Sequence, residues 1–260
     1  MDGLIHESVS NSFYSIEIFS ALGTNTEQED AIGYVMRDMS AVLILCDGMG
    51  GMNGGKASAQ AAVSKVKELA ESEAWETNPL DFLKRVLETA DDEVYFLKDE
   101  NGERIGGGCT IVIAVVVGRR IYYANVGDSR IYYWDGNSFI QLTQDHNYGE
   151  VLIRKLQSGE IDNSEYDKEK GRAAALTGFL GLGELKEYFI CEAPIMLDRS
   201  QVICLQTDGL YKLLAESEMQ NIIFSNAKNL EQAGEQLLKR AEEKKRNYQD
   251  NTSMILMRLK

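Results

Sequence analysis

Three stretches of the chain repeat apolar residues with the period of a helix. From Ala59, the positions Ala59, Ala62, Val63, Val66 and Ala70 follow the i, i+3, i+4, i+7 spacing of one buried face. In the second, Asn78 is placed to cap a helix whose first turn holds Pro79, and Leu83, Val86, Leu87, Ala90, Val94 and Leu97 continue one stripe. The third carries Leu230, Ala233, Leu237 and Ala241, opened by Asn229 with Gln232 at capping-box distance. Elsewhere the period shortens to that of strands, at 14–19, 32–37, 41–46, 110–117, 121–126, 130–134, 188–192, 201–206 and 253–257. Gly118-Arg119-Arg120 reads as a turn, and 110–134 as antiparallel strands joined by short turns. The Ile-Tyr-Tyr repeat at Ile121 and Ile131 then echoes two strands of one hairpin. Strands and helices in separate blocks predict an α+β sandwich with helices covering the sheet faces.

The chain has 260 residues, with 27 Lys and Arg against 41 Asp and Glu, a formal net charge of −14. Phosphate backbones are held by clustered cations, so this balance excludes a nucleic-acid binder driven by bulk charge. The cation-rich segment 239–246 ends the third helix, where positive side chains offset the negative end of the helix dipole. No Pro- or Ser-rich linker interrupts the chain, so a single domain over 1–260 is expected. The longest apolar runs, 41–46 and 111–117, fall far short of the roughly 18 residues of a membrane span. The first residues carry acids and no Lys or Arg, unlike a signal peptide. Cys46, Cys109, Cys191 and Cys204 stand among apolar or small neighbours and read as reduced core thiols. A cytoplasmic protein with neither membrane nor nucleic acid as partner is expected.

Residues 41–58, AVLILCDGMGGMNGGKAS, run from an apolar strand into an aspartate and five glycines. Gly50 followed at the right distance by Gly55-Lys56 satisfies most of a phosphate-cradling P-loop. Ala57 stands where that loop needs a hydroxyl, and hairpins are not the parallel units it opens. A plain strand-to-helix turn capped by Asp47 is the other reading. Aspartates recur at strand ends: Asp208-Gly209, Asp250-Asn251, Glu29-Asp30, and Asp128 between two strands. Carboxylates converging on one rim of a sandwich need cations to offset their repulsion, and hard oxygen donors favour Mg²⁺ or Mn²⁺.

DGMGG at 47–51, GCT at 108–110, NVGDSR at 125–130, LTQDH at 142–146, LTGFLG at 176–181, TDGL at 207–210 and DNTS at 250–253 occur in that order. With these motifs the chain, from about Ser20 to its end, resembles the metal-dependent protein serine/threonine phosphatases of type 2C in their bacterial form. The resemblance implies two antiparallel sheets in a sandwich with helices on both faces (α-β-β-α) and a binuclear Mn²⁺ or Mg²⁺ centre at one end. It implies that Asp47 bridges both ions. The Gly48 carbonyl and a water held by Asp30 would serve one ion, and Asp208 and Asp250 the other. A weaker third ion would lie between Asp128 and Asp208. It also places a flap subdomain, the seat of substrate choice, at about 147–172, whose acidic patch 160–169 otherwise reads as a solvated charged face.

By the same resemblance, two ions acidify a bridging water, and hydroxide attacks phosphorus in line with the departing Ser or Thr oxygen, with no covalent intermediate. The substrates would be phosphorylated proteins, targets of a cognate serine/threonine kinase. None of the four cysteines has an Arg six residues later, which excludes a cysteine-nucleophile phosphatase. The chain departs from the family in three places. Met49 stands where eukaryotic members carry a proton-donating His, and His146 reads as structural, with proton donation as its alternative. Asn25 stands where an Arg commonly grips the substrate phosphate, so phosphate capture rests on a neutral amide. Lys212 replaces a further metal-binding Asp of some relatives. A regulatory binding module on the same fold is the rival reading of these departures.

Overall fold

The computed structural model describes residues 3–50, 54–244 and 247–260; Gly51 of the first motif and Lys245 and Arg246 of the basic segment lie outside them. The run at 41–46 contains no polar side chain because its strand is covered twice. In β4 (Ser40–Cys46), Val42, Ile44 and Cys46 face helices, whereas Ala41, Leu43 and Leu45 face a second sheet. Around β4 lie β3 (Ala31–Met36), β7 (Ile111–Val117), β8 (Arg120–Val126) and β11 (Phe189–Ile190), in the order β11-β8-β7-β4-β3, with β12 (Ile195–Met196) also on β8. The facing sheet runs β1-β2-β14-β13-β9-β10. Its members are β1 (Ile5–Ser10), β2 (Tyr14–Ala21), β14 (Thr252–Leu259), β13 (Val202–Gln206), β9 (Arg130–Trp134) and β10 (Phe139–Gln141). A small ribbon pairs β5 (Gly48–Met49) with β6 (Gly108–Cys109), and all pairings are antiparallel.

Helices cover both outer faces. The expected stripes of α1 (Gly54–Ser72) and α2 (Pro79–Tyr95) pack on the first sheet, except that α2 ends at Tyr95 and leaves Leu97 outside the helix and this core. The expected stripe of α7 (Leu230–Lys244), together with α5 (Asp208–Tyr211) and α6 (Glu216–Asn226), packs on the second, where Phe19, Tyr132 and Met254 lie. The layers are therefore α-β-β-α. Asn78 caps α2 by accepting from the Asp81 N–H (3.4 Å), and Asn229 accepts from that of Gln232 (3.1 Å). At the end of α7, Arg240 and Lys244 both reach Glu218 of α6, so these cations tie helix to helix. All four cysteines are free and buried.

The expectation of one hairpin spanning the two Ile-Tyr-Tyr segments is wrong. β7 and β8 do form a hairpin, but β8 and β9 belong to different sheets. The chain crosses between them at Gly127, whose φ of +94° and close approach to the Thr110 side chain suit only glycine. Several elements had no clear sequence signal, among them exposed β1, short β10, α6, α3 (Tyr148–Ser158) and α4 (Asn163–Glu169). Leu152 is the one buried residue of α3, and α4 buries none. The acidic side chains of 160–169 are solvated.

Candidate active site

Antiparallel pairing brings the end of β4, the start of β3, the end of β13, the start of β14 and the β8-to-β9 crossing to one rim of the sandwich. Asp47, Gly48, Asp128, Asp208 and Asp250 therefore line one cleft of about 820 Å³, together with Asn25, Glu29, Lys212 and Tyr248. Ala174, Leu176 and Phe179, just beyond α4, form an apolar wall. Asp30 does not line the cleft; it is buried behind it, its carboxylate accepting from Thr207 Oγ1 at 3.0 Å.

Hydroxyls and amides fix this rim. The Asp47 N–H donates to Thr110 Oγ1 (3.1 Å), the Thr110 N–H returns a bond to the Asp47 carbonyl (2.8 Å), and Thr110 Oγ1 meets Ser129 Oγ (2.7 Å). Asn251 accepts from the Glu29 N–H (2.8 Å) and donates to the carbonyls of Leu22 and Glu27, stapling the segment that carries Asn25 and Asp30 beside Asp250. The Tyr211 hydroxyl donates to the Asp128 carbonyl (3.0 Å), and the Arg130 guanidinium lies over its ring while gripping Asp145 with two bonds. Thr110, Ser129, Thr207 and Asn251 all stand inside the sequence motifs; Ser129, Thr207 and Asn251 adjoin Asp128, Asp208 and Asp250, whereas Thr110 has no aspartate beside it in the chain.

The departures have definite places. Asn25 Nδ2 donates to Asp250 Oδ1 at 2.8 Å. The Lys212 ammonium pairs with Asp208 Oδ2. Met49 lines the cleft, whereas His146 does not: its Nδ1 accepts from the Gly127 N–H (3.1 Å), holding the crossing in place.

Electrostatics mark the rim as unfavourable for bare anions. Burial, followed by the charges of Asp30, Asp208, Asp250 and Asp128, holds the Asp47 carboxyl well above the usual range. Burial likewise pushes Asp30 up to about 7, against the bonds from Ser253 and Thr207. Asp128 rises to about 6 through burial and the charge of Asp208, moderated by Lys212. Among the described residues, no three His, Cys, Asp or Glu side chains form a ready-made ion cage. Asp208 and Asp250 instead give one oxygen each to Lys212 and Asn25. The donors still suit a hard divalent cation. They are oxygens, they repel one another, and Asp30 Oδ1 and Asp208 Oδ1 are buried without hydrogen-bond partners.

The sequence profile described as Protein phosphatase 2C matches residues 11–150, so the chain belongs to the protein phosphatase 2C family. It is 27% identical over 205 residues to the serine/threonine phosphatase stp of Listeria welshimeri, covering 76% of this chain and 77% of that one. Protein phosphatase PhpP of Streptococcus pneumoniae is 26% identical over 209 residues, covering 77% and 80%. The solved serine/threonine phosphatase of S. agalactiae shares the fold, with a TM-score of 0.78 over 95% of this chain and 100% of that one at 24% identity.

Proposed function

We propose that this chain is a metal-dependent phosphatase that hydrolyses phosphoserine and phosphothreonine in proteins. The observation that carries the reading is the crowded, mutually repelling set Asp47, Asp128, Asp208 and Asp250 lining one cleft of a family member, with Asp30 buried behind it. Asp47, Asp208, Asp250 and the Gly48 carbonyl would hold two Mn²⁺ or Mg²⁺ ions, with Asp30 behind them. Those ions would supply an acidified water and offset the charge of the phosphate. Asn25 orients Asp250. The open cleft admits a phosphorylated side chain on a protein, and the wall of Leu176 and Phe179 receives the adjoining chain. Thiol chemistry has no place here, because no cysteine lines the cleft. The P-loop reading fails on the fold, since β4, which leads into the glycine-rich segment, and β5 within it both belong to antiparallel pairs.

We assign substrate choice to the flap at 147–172, whose α3 and α4 lead into the cleft wall. Targets of a cognate kinase and a cytoplasmic location belong to the same proposal; no helix among the described residues is long and apolar enough to cross a membrane. The deciding experiment is hydrolysis of p-nitrophenyl phosphate and of a phosphothreonine peptide. Activity should require Mn²⁺ or Mg²⁺, stop with chelator and return when the ion is restored. Phosphopeptide binding without turnover under any divalent ion would favour the regulatory module instead.

Asn25 supplies a graded test. Arg at this position should add a charge-assisted contact to phosphate of about 1.5–3 kcal/mol, roughly 10- to 100-fold in kcat/KM. The guanidinium also replaces the amide bond to Asp250. Such a contact forms in the ground state too, so Asn25→Arg should lower KM for p-nitrophenyl phosphate more than it raises kcat, and inorganic phosphate should inhibit it more strongly. Arg37 does not already fill the role: it pairs with Glu76 at 2.6 Å, away from the cleft. Unchanged KM and phosphate inhibition in Asn25→Arg would remove residue 25 from phosphate binding.

A further inference from the structure

Among the described residues lining the cleft, Lys212 is the one that carries a positive side chain. It follows Asp208 by one helical turn, and its N–H bonds back to the Asp208 carbonyl at 3.0 Å, so the backbone fixes the root of its side chain. The ammonium pairs with Asp208 Oδ2 and is acted on by the charges of Asp208, Asp128 and Asp47. Asp128 reaches this place from the β8-to-β9 crossing, where the Tyr211 hydroxyl holds its carbonyl. A lysine ammonium is a compact point charge with three donors, able to serve more than one carboxylate at a time.

We propose that the Lys212 ammonium is a resident cation of the cleft, neutralising the Asp128–Asp208 side and limiting the centre to two divalent ions. This rests on the reading of the cleft as a metal centre. A further ion on that side would need oxygens from Asp128 and Asp208 together. One oxygen of Asp208 is already given to Lys212, and a divalent ion there would meet a positive charge at ion-pair range. Asp208 Oδ1, buried and without a partner, stays available on the other side of the same carboxylate. One side chain thus separates the two duties of Asp208: Oδ1 for a divalent ion, Oδ2 for the ammonium.

The test counts ions directly. The intact protein, stripped with chelator, is titrated with Mn²⁺ while free Mn²⁺ is followed by electron paramagnetic resonance. The parent should take up two ions. Lys212→Gln should take up a third, at least tenfold tighter than any further binding by the parent. Lys212→Arg, which keeps the charge, should again stop at two. The third ion should vanish in the Lys212→Gln, Asp128→Asn double variant. A parent that takes up a third ion as tightly as its first two overturns the inference whether or not any variant folds. So does a folded Lys212→Gln that gains none, or a gain that survives loss of the Asp128 charge. A parent that holds no Mn²⁺ fails differently, because it removes the metal centre itself.

Discussion

Asp47→Asn and Asp208→Asn are each expected to lose nearly all phosphatase activity while the chain stays folded. Both substitutions keep the shape of the side chain and remove one negative charge from the rim. If these residues hold the ions directly, losing that charge weakens both ion affinity and the acidification of water. The loss should exceed the roughly 10- to 100-fold seen when a residue that merely orients a ligand is changed. Turnover at saturating Mn²⁺ equal to that of the parent would sink the assignment of these two aspartates.

Asp47→Asn carries a second, opposite expectation in chelator. The carboxyl of Asp47 is held well above its ordinary range by burial and by four neighbouring aspartates. A carboxyl raised in the folded state costs stability as pH climbs from its unfolded value toward the folded one, because the fold must then accept the charge. Neutral Asn escapes that cost. Melting followed by circular dichroism should therefore show Asp47→Asn more stable than the parent at neutral pH without metal, and the difference should shrink on acidification. A variant less stable at every pH would mean that the Asp47 charge is compensated inside the fold.

What could be read from the chain and what could not follows from the range of each interaction. The run at 41–46 announces a strand covered on both faces, and the stripes of α1, α2 and α7 announce their buried sides, because these are local periodicities. The crossing at Gly127 is not legible locally because strand pairing is decided by partners elsewhere: β9 pairs with β13, some seventy residues on, instead of with β8 beside it. β1 escaped because it lies exposed at a sheet edge and shows no alternation. Aspartates at strand ends were visible as residue types. Their supports were not, since Thr207 meets Asp30 across 177 positions and Asn251 meets the Glu29 N–H across 222. No local pattern encodes such pairs. The amide of Asn25 illustrates this best: the sequence shows an absent Arg, and the structure adds that the residue present binds Asp250.

Gly209→Ala is expected to disable the enzyme by separating the two halves of the rim. Gly209 follows Asp208 in α5, and a Cβ built on it would lie 2.0 Å from the Asn251 carbonyl oxygen and 2.7 Å from Thr252 Oγ1. The nearest obstacle is backbone, so no side-chain rotation relieves it; either α5 or the start of β14 must move. Those two segments carry Asp208 and Asp250, whose approach therefore depends on the missing methyl group. Forcing an extra carbon into a close-packed site costs about 1–3 kcal/mol. At roughly 2–4 °C per kcal/mol for a chain somewhat smaller than this one, the upper end lowers the melting temperature by about 6–12 °C. A displacement near 1 Å at a reacting centre costs on the order of 100-fold in rate, so activity should fall further than stability suggests and should recover only partly at high Mn²⁺. Gly171→Ala is the matched control for stability, because a Cβ there meets nothing within 4 Å and its φ is not in the left-handed region; it should melt like the parent. If Gly209→Ala also behaved like the parent, Asp208 and Asp250 would not depend on this close approach, and the rim would have to be held by the hydrogen bonds of Asn251 and Thr207 alone.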